Sequence, residues 1–203
     1  MKKIAIVGYK GRMGKLIFDS LKREYVVFGV GREDCLNCFD VDLVIDFASH
    51  ESSVVSAEYC LKKNIPLIVG STGQTEQENK RLDEISKHIK IVRKANFSNG
   101  IDVLKKFIDS ELLIFPDKVE IIEKHHKNKK DAPSGTALEL EKYIKRRFDG
   151  EIKITSIREG EEMGVHSIIL DFGDESLMIS HNVYSRNAFV LGVIREVKNL
   201  LKV

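Results

Sequence analysis

The chain has 203 residues, with 33 Lys and Arg against 31 Asp and Glu, and a formal net charge of +2 at pH 7. This length allows one large or two small domains with real hydrophobic cores. The near balance of charge argues against nucleic acid as the main partner, because such proteins carry a strong basic excess. No apolar stretch is long enough to span a membrane, and the N-terminus lacks a secretory pattern, so a cytoplasmic protein is expected.

The first residues predict a strand, a glycine turn and a helix. Residues 3–7 are apolar and rich in β-branched side chains, which is typical of a buried parallel strand. Residues 15–23 carry apolar side chains at helical spacing. The turn between them reads G-x-x-G-x-x-G over residues 8–14, a looser form of the G-x-G-x-x-G sequence that binds dinucleotides.

Each glycine of this turn would have a role in a dinucleotide site. Gly8 would allow the tight turn, Gly11 the close approach of the pyrophosphate, and Gly14 the packing of the helix against the strand. Glycine turns between strands and helices also occur in α/β proteins that bind no cofactor. The motif therefore favours cofactor binding without requiring it.

The second strand, residues 25–30, should end near the adenosine ribose of such a cofactor. An acidic residue there takes the ribose hydroxyls of NAD, and a basic residue takes the 2′-phosphate of NADP. The chain offers both, as Arg32 and Glu33. The sequence leaves the choice open, and our hypothesis is that the protein uses both NADH and NADPH.

Strands and helices continue to alternate up to residue 98. Predicted strands at residues 41–47, 65–69 and 89–92 are separated by predicted helices at 51–63 and 75–88. This order favours a Rossmann-like doubly wound parallel sheet with right-handed crossovers. Loops at 70–73 and 94–98 follow two of the strands, at the sheet edge where ligands of open α/β sheets bind.

The second half of the chain has a different character. Helices are predicted at residues 101–114, 138–148 and 187–201, and strands at 119–122, 152–158, 165–172 and 176–184. Three consecutive strands predict a smaller α+β domain with a mostly antiparallel sheet. Since no helical cover for this sheet is evident, we expect burial against sister subunits.

The last helix is expected to return to the first domain. The predicted domains are a dinucleotide-binding domain of residues 1–97 and 187–203, and a substrate-binding and oligomerisation domain of residues 98–186.

The most informative segment connects the strand at 119–122 to the helix at 138–148. It contains two adjacent histidines, His125 and His126, with Lys127, Lys129 and Lys130 close behind them. Imidazole suits general acid–base work near neutral pH, and ammonium groups attract anions. The alternative is a solvated basic loop before a well-capped helix. The histidine pair beside a Ser-Gly-Thr turn favours a site for a small multi-anionic substrate.

The start of the following helix supports an anion site. Ser134 or Thr136 can cap the helix, and Thr136 with Glu139 matches the T-x-x-E capping box. Gly135 lets a ligand approach the backbone closely. The N–H groups of the first turn and the helix dipole then favour a carboxylate or a phosphate.

The cysteines and the other histidines give weaker signals. Cys35 and Cys38 have the spacing of half a zinc site or of a redox pair. Because a second C-x-x-C is missing, we expect free thiols in a reducing compartment and no metal. The other histidines are interpreted as structural or surface residues, although His166 and Arg186 could approach a substrate.

Together these motifs resemble the dihydrodipicolinate reductase family over essentially the whole chain. The order of GxxGRMG, Gly-Ser-Thr-Gly, Ala-Asn-Phe-Ser-x-Gly and His-His-x-x-Lys-x-Asp-Ala-Pro-Ser-Gly-Thr-Ala carries the resemblance. It implies NADPH- and/or NADH-dependent reduction of 4-hydroxy-tetrahydrodipicolinate in lysine and diaminopimelate biosynthesis. Hydride would go to C4 of this small cyclic dicarboxylate and a proton to the adjacent carbon. The resemblance also implies a homotetramer.

The resemblance implies a role for individual residues. His125 would give or take a proton, and Lys129 would be a second proton donor. The substrate carboxylates would be held by His126, Lys129, Ser134, Gly135 and Thr136. The cofactor would be bound by Gly8, Tyr9, Lys10, Gly11, Arg12 and Met13 at the pyrophosphate, by Arg32 near the ribose, and by Gly70, Ser71, Thr72, Lys94, Ala95, Asn96 and Phe97 at the nicotinamide end.

Two departures and two alternatives stand beside this interpretation. Residues 32–40 are short where longer members have a helix and a further strand, and Lys94 has no assigned side-chain role. One alternative is a Rossmann oxidoreductase for another small acid or a semialdehyde, which would not explain the histidine pair. The other is a nucleotide sensor without turnover.

Overall fold

The computed structural model describes residues 1–110, 116 and 118–202, and the chain divides into two compact units. The first unit comprises Met1–Phe97 together with Phe189–Val203, and the second comprises Ser98–Ala188. The described residues form one sheet in each unit. Among the described residues, no helix has the length and apolar character needed to cross a lipid bilayer.

The first unit is built on five parallel strands flanked by helices. Its elements are Lys3–Val7 (β1), Arg12–Leu21 (α1), Val26–Val30 (β2), a short 3₁₀ helix at Leu36–Cys38, Leu43–Asp46 (β3), His50–Lys63 (α2), Leu67–Val69 (β4), Glu76–Ser86 (α3) and Ile91–Arg93 (β5). The strand order is β2-β1-β3-β4-β5, so the direction of winding reverses beside β1. The predicted doubly wound parallel sheet is confirmed.

Both faces of this sheet are covered, as a parallel sheet requires. Ile4 and Ile6 of β1 pack on one face in a core that includes Ile17 of α1. Ala5, which points the other way, belongs to a second core with Leu82 of α3. Alternate residues of one strand therefore serve two different cores.

Helix α1 begins three residues earlier than predicted. Gly11 is its N-cap and has an extended backbone, so Arg12 is the first helical residue. Gly14 consequently lies inside the helix, where a Cβ would overlap the carbonyl oxygen of Gly8. The glycine is required because α1 starts so close to the end of β1.

The second unit combines a four-stranded sheet with two helices. Its elements are Asn99–Asp109 (α4), Lys118–His125 (β6), Gly135–Ile144 (α5), Ile152–Arg158 (β7), Val165–Asp171 (β8) and Ser176–Asn182 (β9). The strand order is β7-β6-β8-β9, with β6 and β7 parallel and the other neighbours antiparallel. The sheet is mixed and mostly antiparallel, as predicted. The parallel pair arises because α5 forms the crossover between β6 and β7.

The expectation that this sheet lacks a helical cover is wrong. Helices α4 and α5 pack on one face, where Leu104 and Leu140 join Ile121 and Ile168 in a buried core. The cover is hard to recognise in sequence because one helix precedes the sheet and the other lies inside it as a crossover. Of the predicted helix at 101–114, residues 111–114 lie outside the described part of the chain.

The last helix, Asn187–Leu201 (α6), contributes Val193 and Val197 to the core of the first unit. Gly192 of this helix lies against the carbonyl oxygen of Phe97, and the position leaves no room for a Cβ. The C-terminal helix and the segment that follows β5 are therefore packed backbone to backbone.

Candidate active site

The richest cluster of polar side chains lies where β6 ends. The strand runs through His125, beyond its predicted end at Ile122, so the first histidine of the pair belongs to a strand and not to the loop. Alternate residues of a strand face the same side, which places Glu123 beside His125. Both are buried, with exposures of 0% and 7%. The strand register pairs His125 with Arg158 of β7.

Several polar groups converge on the Glu123 carboxylate. Oε1 accepts hydrogen bonds from Nη2 of Arg158 at 2.5 Å and from the backbone N–H of Ser134 at 3.3 Å. Oε2 lies 2.5 Å from Nδ1 of His125. Burial alone would raise the pKa of Glu123, but hydrogen bonds from Arg158 and Ser156 and the charge of His125 lower it to about 2. The group is therefore ionised at neutral pH.

The surroundings of His125 favour its neutral form. Burial lowers the pKa of His125, and the opposing attraction of Glu123 is offset by the positive charges of Lys129 and Arg158. A neutral ring in this position donates Nδ1–H to Glu123 and leaves Nε2 to accept a proton. A Cβ at Gly164 would lie 3.0 Å from Nε2, so this glycine keeps space beside that atom.

Two further histidines extend the cluster. The ring of His166 stands edge-on to that of His125 at 5.1 Å between centroids, and the ring of His181 stacks on His166 at 6.5 Å. Nε2 of His166 lies 3.2 Å from Oγ of Ser134, and Nε2 of His181 lies 3.3 Å from Oγ of Ser98. Burial, with the charge of His125, lowers the pKa of His166 to about 3.

Ser134 joins this cluster to helix α5. Of the two predicted caps it is the one used, because its Oγ accepts the N–H of Ala137 at 3.2 Å. The predicted box of Thr136 with Glu139 is wrong, since Glu139 instead forms an ion pair with Lys105 at 2.5 Å. The positive end of the helix dipole at this N-terminus favours an anion.

The loop between β6 and α5 holds the remaining predicted residues of the segment. Nζ of Lys129 forms a salt bridge with Asp131 at 2.7 Å, and its backbone N–H donates to the carbonyl of His126 at 3.0 Å. The N–H of His126 donates to the carbonyl of Glu162 at 2.8 Å. The end of β6, this loop and the start of α5 carry the predicted proton-transfer and substrate residues, which are His125, His126, Lys129, Ser134, Gly135 and Thr136.

Sequence reasoning does not find Glu123 or Arg158. A signal for Glu123 exists, because alternation along a strand places it on the face of His125, two residues later. Arg158 is predicted only as the last residue of a strand, and its contact with Glu123 depends on the register between β6 and β7. No local pattern encodes that register.

The cluster also has the spacing of a metal site. The ligand atoms of Glu123, His125 and His166 lie within 4.8 Å of one another. Glu123, however, is already bonded to the guanidinium of Arg158, whose charge opposes a second cation beside it. The carboxylate acts here as the counter-ion of an arginine and as the partner of a histidine.

The first unit contains a cleft of about 740 Å³ at the carboxyl ends of β1, β2 and β3. Ligands of open α/β sheets bind at this edge, next to the reversal of strand order. Gly8, Lys10, Gly11 and Arg32, all predicted to contact the cofactor, line the cleft. The side chain of Arg32 is exposed there, beside Glu33.

The glycine turn at the base of this cleft fits a dinucleotide diphosphate. Gly8 has a φ of +81°, a conformation that favours glycine. A Cβ at Gly11 would lie 3.1 Å from the carbonyl oxygen of Gly8, so the turn tolerates little bulk. Helix α1 follows directly, and none of the described side chains caps its N-terminus. Backbone N–H groups at such a terminus favour a phosphate.

Several predicted cofactor residues pack their side chains against the core of the first unit. The ring of Tyr9 packs 5.9 Å from that of Phe18, and Met13 joins the same core. Phe97 is 2% exposed, and its ring lies 5.6 Å from that of Phe47.

The open question of the Lys94 side chain has a structural answer. Its Nζ forms an ion pair with Glu196 of α6 at 2.9 Å, so it ties the end of β5 to the last helix. Arg12 is the first residue of α1. The other predicted nicotinamide-end residues follow β4 or β5 at the carboxyl edge of the sheet, namely Gly70, Ser71, Thr72, Ala95 and Asn96.

The low pKa of His166 predicts a specific pH dependence of stability. The unfolded chain binds a proton at this residue below pH 6.5, whereas the folded protein binds it only near pH 3. Acid therefore favours unfolding, and the residue should lower the free energy of unfolding by about 2 kcal/mol between about pH 7.5 and about pH 5. Urea titrations of His166→Gln at a series of pH values should show a fall in the free energy of unfolding that is smaller by this amount.

The matched control is His88→Gln, which changes an exposed histidine of the first unit. It should keep the slope of the unchanged protein. Parallel stability curves for the unchanged protein and His166→Gln would contradict the assignment.

Two family models match the chain. Residues 26–97 match the N-terminal domain of dihydrodipicolinate reductase, and residues 100–203 match its C-terminal domain. The 4-hydroxy-tetrahydrodipicolinate reductase of Thermosipho africanus is 32% identical, over 98% of this chain and 91% of the relative. That of Caldanaerobacter subterraneus subsp. tengcongensis is 34% identical, over 99% and 93%.

Solved structures share the fold. A dipicolinate-bound dihydrodipicolinate reductase from Paenisporosarcina sp. TG-14 superposes with a TM-score of 0.78 at 20% identity, covering 100% of this chain and 96% of the other. Aspartate dehydrogenase from Thermotoga maritima gives 0.65 at 15% identity, over 98% and 97%. With both domain models matched in order over nearly its full length, the chain belongs to the dihydrodipicolinate reductase family.

Proposed function

We propose that the Glu123–His125 pair and the N-terminus of α5 perform the substrate chemistry of this reductase. The chain is an NAD(P)H-dependent oxidoreductase of lysine and diaminopimelate biosynthesis, and its named relatives are 4-hydroxy-tetrahydrodipicolinate reductases. The observation that carries the residue assignment is the buried carboxylate 2.5 Å from Nδ1 of His125.

The substrate is a dicarboxylate, and the proposed site is rich in groups that bind carboxylates. The N–H groups of Gly135 and Thr136 at the start of α5 would receive one carboxylate, with Ser134 holding the helix start in place. Lys129 and His126 in the preceding loop would contact the carboxylates from the other side of the site. Asp131, which now pairs with Lys129, would keep that ammonium group oriented.

His125 would carry the proton that is transferred to the substrate. Glu123 fixes the ring through Nδ1 and stabilises its protonated form when Nε2 takes up a proton. Burial and the positive charge of Arg158 oppose the protonation of His125. The imidazolium is therefore stable enough to form and acidic enough to release its proton to the ring carbon of the substrate. Lys129, whose charge acts on His125, would serve as the second proton donor.

The first unit would hold the cofactor, which supplies a hydride when bound. The diphosphate would lie on the turn of Gly8, Tyr9, Lys10 and Gly11 at the start of α1, with Arg12 and Met13 following. Arg32 would meet a 2′-phosphate and Glu33 a ribose hydroxyl. Backbone groups at 70–72 and 94–97 would face the nicotinamide. In this proposal residues 1–97 and 187–203 bind the dinucleotide, and residues 98–186 bind the substrate.

Replacing the proton carrier should separate chemistry from binding. His125→Gln should lower the turnover of 4-hydroxy-tetrahydrodipicolinate by about 10² or more, because the side chain no longer transfers a proton. The affinity for NADPH, measured by titration, should change little. The rate is followed by absorbance at the nicotinamide band, with His88→Gln as the matched control.

Equal loss of turnover and of NADPH affinity in His125→Gln would contradict the catalytic role. NADPH binding without turnover in the unchanged protein would point instead to the nucleotide-sensor alternative.

The presence of both Arg32 and Glu33 at the cleft supports use of both cofactors. The Michaelis constants for NADH and NADPH in the same assay should differ by less than about a hundredfold, which corresponds to about 2.7 kcal/mol. A larger ratio would contradict dual use.

We also propose that the protein is a homotetramer assembled through the second unit. The edge strand β9 exposes Leu177 at 45% and Met178 at 59%, and an unprotected apolar edge is usually covered by a partner. Light scattering after size exclusion should give four times the mass of one chain at micromolar concentration. The mass of a single chain would contradict the proposal.

A cytoplasmic site of action completes the proposal. The cysteines at positions 35, 38 and 60 are all free, which suits a reducing compartment. Cell fractionation tests it directly, and recovery outside the cytosolic fraction would contradict it.

A further inference from the structure

The reductase chemistry leaves the C-x-x-C segment unused. Cys35 immediately precedes the short 3₁₀ helix between β2 and β3, Cys38 is the last residue of that helix, and both side chains are exposed. The segment lies directly after Gly31–Asp34, which lines the nucleotide cleft. Leu36, between the two cysteines, lines the same cleft. Two accessible thiols therefore stand at one end of the proposed cofactor site.

The turn brings these thiols together. The backbone N–H of Cys38 donates to the carbonyl of Cys35 at 3.0 Å, which closes a turn whose end Cα atoms lie within about 7 Å. Disulfides require a Cα separation of about 4.4–6.8 Å. The two thiols also interact, because the neighbouring Cys35 raises the pKa of Cys38. The backbone and both side chains are arranged for bond formation.

The third cysteine provides an internal contrast. Cys60 is 0% exposed in the core of the first unit, and its thiol faces the carbonyl of Pro66 at 3.8 Å. Burial strongly raises the pKa of Cys60. A buried thiol that keeps its proton is a poor nucleophile, so Cys60 should not react where Cys35 and Cys38 do.

We propose that Cys35 and Cys38 form a reversible dithiol–disulfide pair whose oxidation weakens nucleotide binding in the adjacent cleft. The effect on binding rests on the proposed cofactor role of that cleft, whereas the formation of the bond does not. Pairs of this kind in reducing compartments are transient and act in catalysis or redox sensing.

The oxidant is a small disulfide such as glutathione disulfide. Cys35 attacks one of its sulfurs as the thiolate, because the raised pKa of Cys38 makes Cys38 the poorer nucleophile of the two. A first glutathione thiolate leaves, and a mixed disulfide remains on Cys35. Cys38 then loses its proton and attacks the Cys35 sulfur, which expels the second glutathione. Two protein thiols are oxidised, one glutathione disulfide is reduced to two thiols, and the two protons pass to the glutathione thiolates.

The bond should alter the cleft because it fixes the turn. The two sulfurs move to a covalent distance of about 2.05 Å, and the torsion angles of both cysteine side chains become restricted. Asp34 and Leu36, the neighbours of Cys35, line the cleft and are held to this fixed turn. Asp34 also accepts the N–H of Gly31 at 2.7 Å, which connects the turn to the end of β2. We expect the cleft to adjust less readily to a nucleotide once the bond has formed.

The test equilibrates the full chain in glutathione buffers spanning about −300 to −150 mV, followed by acid quenching, alkylation and mass spectrometry. The unchanged protein should lose two thiols together and keep one. Cys60→Ala should behave identically apart from the missing third thiol. Cys38→Ser should stop at a mixed disulfide with one glutathione, and Cys35→Ser should react more slowly.

NADPH affinity of the fully reduced and fully oxidised proteins is then measured by titration. Oxidation should weaken binding by at least about fivefold, and saturating NADPH should therefore raise the midpoint potential by about 20 mV. Retention of all three thiols across the range of potentials, or glutathione attached to both Cys35 and Cys38, would contradict the formation of a disulfide between them. Equal NADPH affinity of the two forms would overturn its effect on the cleft. Failure of the reduced protein to bind NADPH would count against the proposed function, while the thiol count would still decide the pair.

Discussion

A carboxylate with no solvent exposure remains charged in this protein because three elements bring partners to it. Glu123 lies on β6, Arg158 on β7, and Ser134 at the start of α5. Removing an ion from water costs several kcal/mol unless excellent hydrogen bonds replace the lost hydration. The parallel register of two strands and the position of the crossover helix between them are therefore coupled to one electrostatic requirement.

The need to keep Glu123 charged also determines the surroundings of the proposed site in the second unit. The carboxylate fixes the orientation of His125, and Arg158 limits how strongly the carboxylate can hold a proton on that ring. Ser134 connects Glu123 and His166 to the helix end that we assign to substrate carboxylates. In the proposed site, proton transfer and anion binding would thus depend on one small set of hydrogen bonds, and a change in any member should affect the others.

Local patterns predict much of the fold. Strand 152–158 and helix 187–201 agree residue for residue with the structure, because their apolar spacing is regular and unambiguous. The alternation of strands and helices in the first half gives the parallel sheet. The helical cover of the second sheet is not found in this way, because α4 and α5 are distant in sequence and come together only in the folded unit, on the core that contains Ile121.

The residues of the candidate site also differ in whether a local pattern predicts them. His125, Lys129 and Ser134 stand in one continuous segment, so a motif finds them. Arg158 belongs to another strand, and only the register of that strand reveals it. Likewise, the ion pair of Lys94 with Glu196 joins the two separate segments of the first unit, and periodicity carries no information about it.

The packing of Gly192 against Phe97 has a consequence for the order in which the chain acquires structure. The second unit is continuous from Ser98 to Ala188, whereas the first is closed by a helix that is synthesised after the second unit. On the ribosome the second unit can complete its hydrophobic core before α6 is available to cover one face of the first sheet. During that interval the apolar face that α6 later covers is open to water, so chaperone binding to the nascent protein should concentrate there.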